Sequence, residues 1–111
     1  HSRPVRRAME HLRERFAEPV TLDELATHAG LDKFHLCRAF RAQIGLPPHT
    51  YLTHLRIQRA RQLLAEGVRA SDLAHHVGLY DQSQLTRHFR RIVGTTPARY
   101  GQAHRRVHVA M

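Results

Sequence analysis

The sequence predicts an all-α fold in which two helix-turn-helix units are joined by a long connector helix. Three observations carry that expectation. Every strong apolar periodicity has the repeat of a helix. Glycines and prolines sit where those periodic stretches stop and start. And the stretch "LCRAFRAQIGLPPHTY", Leu36 to Tyr51, recurs in degenerate form as "LTRHFRRIVGTTPARY", Leu85 to Tyr100.

Val5, Ala8, Met9, Leu12 and Phe16 form one apolar stripe behind Pro4, a residue favoured in a first helical turn. Thr21 with Glu24 three residues later is a capping box, in which each side chain satisfies an orphan backbone amide. It opens a short helix with Leu22, Leu25, Ala26 and Ala29 inward, and Gly30 ends it. Asp32 caps a third helix from Lys33 to about Ile44, stopped by Gly45. Two helices joined by a tight glycine turn are the helix-turn-helix outline. Pro48 starts the fourth helix, whose broad apolar side carries Leu52, Leu55, Ala60, Leu63 and Leu64, and Gly67 closes it. Arg56 points toward the middle of that apolar side, so its stem is expected to pack and its role to be structural.

The pattern then repeats. Leu25, Ala26, Gly30 and Leu31 recur as Leu73, Ala74, Gly78 and Leu79 at an offset of 48, which becomes 49 from Leu36 onward. One residue has therefore been added at the start of the second copy's last helix. Asp81 caps that helix, with Gln84 at the capping-box position, while Thr21 and Glu24 correspond to Arg69 and Asp72, so the second copy has lost its Thr cap. A last helix follows Pro97. The expected divisions are a first unit over 1–47, the connector over 48–66, a second unit over 67–104 and a frayed tail over 105–111.

Eighteen basic against nine acidic side chains leave a formal charge of +9, and every basic residue but Lys33 is Arg. That balance favours a polyanionic partner, since Arg makes bidentate contacts with phosphate or guanine. A single cysteine forms no internal disulfide, which suits a reducing, cytoplasmic setting. No secretory signal or apolar run of about 20 residues is present. The chain begins with His1, so a preceding segment is expected.

The inward stripe Leu36, Phe40 and Ile44 leaves Lys33, Cys37, Arg38 and Arg41 facing out on the third helix. Its counterpart Leu85, Phe89 and Val93 leaves Gln82, Ser83, Thr86, Arg87 and Arg90. Arg matches guanine, Gln matches adenine, and the Thr methyl matches that of thymine. Arg41 and Arg90, a turn further on, suit phosphates.

The run "VGLYDQSQLTRHFRRIVGTTPARY" is similar to the signature of the AraC/XylS family of bacterial transcription regulators: Gly, an apolar residue, Ser, Phe or Leu, Arg, Phe, Lys or Arg, Gly, then Pro and Tyr. "LRIQRARQLL" in the fourth helix also fits, and the resemblance covers nearly the whole chain. It implies seven helices in two homeodomain-like units, recognition helices on one face of bent double-stranded DNA, and activation through contact with RNA polymerase. Carried over position by position, the base contacts are Phe34, Cys37 and Arg38 in the first unit and Gln82, Ser83, Thr86 and Arg87 in the second. Lys33, Arg41 and Arg90 are the phosphate contacts. Cys37 departs from the larger polar side chain common at its position, and Phe34 suits either a thymine methyl or the domain itself.

An Arg-rich solvated face explains the charge without a ligand, and non-specific nucleic-acid packaging is the alternative function. The duplicated unit weighs against the solvated face, and equal affinity for all duplexes at fixed salt would favour packaging. His104 and His108 have i, i+4 spacing, but no acidic or Cys cluster accompanies them, so no metal and no cofactor are expected. His75 and His76 read as solvated, and Cys37 as a small filler rather than a redox switch. There is no nucleophile with a neighbouring base and no glycine-rich phosphate loop, so no enzyme is expected. No apolar pocket-forming segment is legible either; the resemblance, with a chain that begins at His1, implies that an effector binds an N-terminal domain ahead of this one.

Overall fold

A computed structural model describes residues 1–105 of the chain. Among them lie seven helices and no strand: α1 Arg3–Arg15, α2 Leu22–Ala29, α3 Lys33–Ile44, α4 Pro48–Ala65, α5 Ala70–His76, α6 Gln82–Val93 and α7 Pro97–His104. They form two compact units, His1–Leu55 and a second that begins at Arg56. Most of the expected frayed tail, with His108, lies outside the described residues.

In the first unit, Val5, Ala8 and Leu12 of α1 meet Leu25, Ala26 and Ala29 of α2, Leu36 and Phe40 of α3 and Leu52 of α4. Removing Leu36 and Phe40 fully from water stabilises α3 by about 1.5–3 kcal/mol each. The turn between α2 and α3 closes on Gly30, at φ 78°, where the Leu31 amide donates back to the Ala26 carbonyl at 3.1 Å. That long-reach bond is the Schellman closure, and it needs the left-handed backbone that glycine adopts without a Cβ penalty. The Thr21 capping box forms by half. The Glu24 amide donates to Thr21 Oγ1 at 3.1 Å, while the Glu24 carboxylate stands 4.0 Å from His11 Nε2.

The second unit packs Ile57, Ala60 and Leu64 of α4 against Leu73 and Ala74 of α5, Val77, Leu79, and Leu85 and Phe89 of α6. Its turn repeats the same device: Gly78 has φ 83°, and the Leu79 amide reaches the Ala74 carbonyl at 2.9 Å. The recurrence of Ala, Gly and Leu at an offset of 48 is thus the acceptor, the hinge and the donor of one closure. Arg69 caps α5 with backbone alone, and its guanidinium pairs with Asp72 at 3.3 Å.

The fourth helix is more than a connector. Its first turns, with Tyr51 and Leu52, complete the first core, and Ile57, Ala60 and Leu64 belong to the second. The stretch from Ile57 to Leu64 stands 48 residues after Met9 to Phe16, the end of α1 and its C-cap, and Pro48 to Tyr51 stands 49 before Pro97 to Tyr100 of α7. One helix therefore serves as the last element of the first unit and the first of the second. The broad apolar side read in the sequence is two successive stripes. Arg56, at their junction, is 9% exposed, and burial pulls its guanidinium pKa down.

Candidate nucleic-acid interface

Each recognition helix is fixed at both ends by its own sequence. Asp32 Oδ1 accepts the His35 amide at 2.9 Å, and Asp81 Oδ1 accepts the Gln84 amide at 2.8 Å. The His35 amide is the main reason that the Asp32 carboxyl is held below the usual carboxylate range. At the other ends Gly45 and Gly94 take φ 90° and 94°, and their amides return to the carbonyls of Arg41 and Arg90.

Between those ends, one aromatic pair per unit holds the helix down. Phe40 meets Tyr51 edge-on with centroids 5.5 Å apart, and Phe89 meets Tyr100 at the same distance. The tyrosine hydroxyls are held in turn: Arg13 Nε donates to Tyr51 at 3.1 Å, and Arg61 Nε to Tyr100 at 3.3 Å. Arg13 and Arg61 again differ by 48 in number. These two arginines fix the tyrosines that brace α3 and α6. The sequence reading missed them, although extending the repeat backward past Leu25 and Leu73 would have exposed the pair.

On α6 the outward residues converge. Gln82, Ser83, Thr86, Arg87 and Arg90 line one open depression, with Thr86 half-buried and the others exposed. An open strip with an amide, two hydroxyls and two guanidinium groups offers the kinds of donor and acceptor that base edges and phosphates pair with. The arrangement on α3 is different. Phe34, Arg38 and Arg41 are exposed, Phe34 at 71%. Lys33 Nζ lies 3.8 Å from Asp23 Oδ1 and 5.7 Å from the centre of the Phe34 ring, so its charge is partly answered within the unit. Cys37 is half-buried and does not join them.

A family model described as a helix-turn-helix domain matches residues 25–103. Over 81 residues the chain is 43% identical to an uncharacterized HTH-type transcriptional regulator, YbfI, of Bacillus subtilis, covering 73% of this chain and 30% of that protein. Over 97 residues it is 35% identical to a putative AraC-like transcription regulator of Streptomyces antibioticus, covering 86% of this chain and 32% of that one. The chain belongs to the AraC/XylS family. Among solved structures, the chain is similar to the DNA-binding domain of AdpA, a global transcriptional factor, crystallised in complex with a target DNA. It matches with a TM-score of 0.83 at 29% identity, covering 92% of this chain and 93% of that one. The chain spans about a third of the length of each of these two curated relatives.

In this AraC/XylS domain one expectation needs correcting. The sequence showed no pocket-forming segment, yet Leu12, Leu25, Cys37, Pro47, Pro48 and Leu52 are among the residues that line an apolar recess of about 160 Å³ in the first unit. The segments that build it, on α1, α2 with its leading turn, α3 and the start of α4, are separate in sequence, so no local pattern announces it. His11 also escaped notice. It is 8% exposed, its ring lies 4.5 Å from that of His28, and its Nε2 has no hydrogen-bond partner among the described residues. His75 and His76 are exposed, and His104 stacks on Tyr100 at 4.0 Å. Among the described residues no group of three His, Cys, Asp or Glu is placed to hold a metal ion, and no helix is long and apolar enough to cross a membrane.

Proposed function

We propose that this domain is the sequence-reading part of a bacterial transcription activator, with α3 and α6 each entering a major groove of double-stranded DNA. The observation that carries this reading is the convergence of Gln82, Ser83, Thr86, Arg87 and Arg90 on one open strip of α6. Gln82, Ser83, Thr86 and Arg87 read bases there, and Arg90 holds a phosphate. On α3, Phe34 and Arg38 take the base-reading positions and Lys33 and Arg41 the phosphate positions, while Cys37, expected to face out, lines the recess of the first unit and reads no base. Net charge of +9 supplies the sequence-independent attraction to the duplex.

The wider role rests on the relatives. RhaS of Escherichia coli O157:H7, 34% identical over 87 residues, is an HTH-type transcriptional activator, and this chain spans 31% of its length. That proportion supports a longer parent protein; in our reading a separate effector-binding domain precedes this one, RNA polymerase is the second partner and the setting is the cytoplasm, as the family resemblance implies. The domain itself carries no catalytic role. Binding of the wild-type domain to a duplex selected from random DNA, compared with unselected duplex at one salt concentration, tests the reading. The selected duplex should bind at least about 10³-fold more tightly; equal affinities would make the domain a non-specific packaging protein.

A further inference from the structure

The two turns that lead into the recognition helices differ by one residue. In the first unit Leu31 is followed directly by the cap Asp32, whereas in the second Tyr80 stands between Leu79 and the cap Asp81. The added residue is the most exposed large hydrophobic side chain among the described residues, at 82%, and no described residue bonds its hydroxyl. A bare phenol ring in water costs solubility and order without return inside the fold.

The backbone beneath that ring is nonetheless fixed. Gln84, one turn into α6, folds back so that its Oε1 accepts the Tyr80 amide at 2.7 Å. Its own amide is meanwhile held by Asp81 at 2.8 Å. The corresponding residue on α3 is His35, which makes no such return. The second unit thus spends a side chain on locking the position of an exposed aromatic residue at the N-terminal lip of its recognition helix. In a helix-turn-helix this lip is the part that faces the groove.

Resting on the function proposed above, we infer that Tyr80 is a further DNA contact: its ring packs on a backbone sugar and its hydroxyl donates to a phosphate beside the half-site read by α6, with Gln84 as its positioning residue. A phenol suits this place because it is neutral, donates one hydrogen bond and covers apolar sugar atoms with its ring. The contact adds affinity without choosing among bases and without releasing a counterion.

The full domain, titrated with its selected duplex and with random duplex over a range of salt, tests the assignment. Tyr80→Ala should weaken binding to both by the same factor, about tenfold, and Tyr80→Phe should recover only part of it. The salt slope should stay that of wild type, whereas Arg90→Ala should reduce it by about one. Gln84→Ala should weaken binding in the same sequence-independent way. Unchanged affinity of Tyr80→Ala, or a loss confined to one base pair, would overturn the assignment. If the wild-type domain itself failed to prefer its selected duplex, the fault would lie in the function proposed above; a selective wild type with an indifferent Tyr80→Ala would remove Tyr80 alone.

Discussion

The first and second units are built with the same closures and present different surfaces. Each has an Asp cap, a left-handed glycine after its recognition helix, a Phe braced edge-on by a Tyr, and an Arg that holds that Tyr. Yet α6 opens a polar strip of five side chains, while α3 turns a half-buried thiol toward an apolar recess and ties its lysine to Asp23. What is shared is what folding needs, and what differs is what a partner meets. On the function proposed above, one scaffold used twice reads two unlike half-sites, since core and outward face are set by different positions of the same helix.

The sharpest way to separate the units is through their cores. Phe40→Ala and Phe89→Ala should each destabilise by about 3–5 kcal/mol, because both rings are fully buried. Amide exchange should then lose protection first within residues 1–55 for Phe40→Ala, and within the other unit for Phe89→Ala. Simultaneous loss throughout the chain would mean that the two cores act as one.

Gly45→Ala and Gly94→Ala should cost roughly 1–2 kcal/mol each in urea unfolding. A Cβ at either position meets no atom within 4 Å, so the cost is backbone strain alone and should be nearly equal. A large difference between them would show that the closures are not equivalent.

The smallest effect tests the lost cap. Thr21→Ala should destabilise the first unit by about 1 kcal/mol, and Arg69→Thr should stabilise the second by about 0.5–1 kcal/mol. Arg69 already has the extended backbone of a cap, φ −74° and ψ 145°, and its exposed pair with Asp72 contributes little. Thermal unfolding reads both.

Helix ends were legible in the sequence because capping is local: Asp32, Asp81, Gly45 and Gly94 each act within four residues. The outward residues of α6, and Phe34, Arg38 and Arg41 on α3, were legible for a related reason, since Leu36, Phe40, Leu85 and Phe89 fix the inward direction of one short helix, although Cys37 is half-buried where an outward side chain was expected. The double service of α4 was hidden. Its second stripe replaces Met9, Leu12 and Phe16 by Ile57, Ala60 and Leu64, which keeps apolar character but not size, so the repeat fades where its geometry continues. The recess beside Cys37 and the burial of His11 depend on helices that meet only in three dimensions. Glu24 shows the limit of a local rule: its amide obeys the capping box, and its carboxylate stands by His11 on another helix.

The division of reading between the units is tested most directly by repeating selection from random DNA with Arg38→Ala and Arg87→Ala beside the wild type. The wild type should select two dissimilar motifs. Each variant should lose about 1–3 kcal/mol of preference at one base pair, Arg38→Ala in one motif and Arg87→Ala in the other. Loss at the same base pair in both variants, or an unchanged selection in both, would contradict two recognition helices that read separate half-sites.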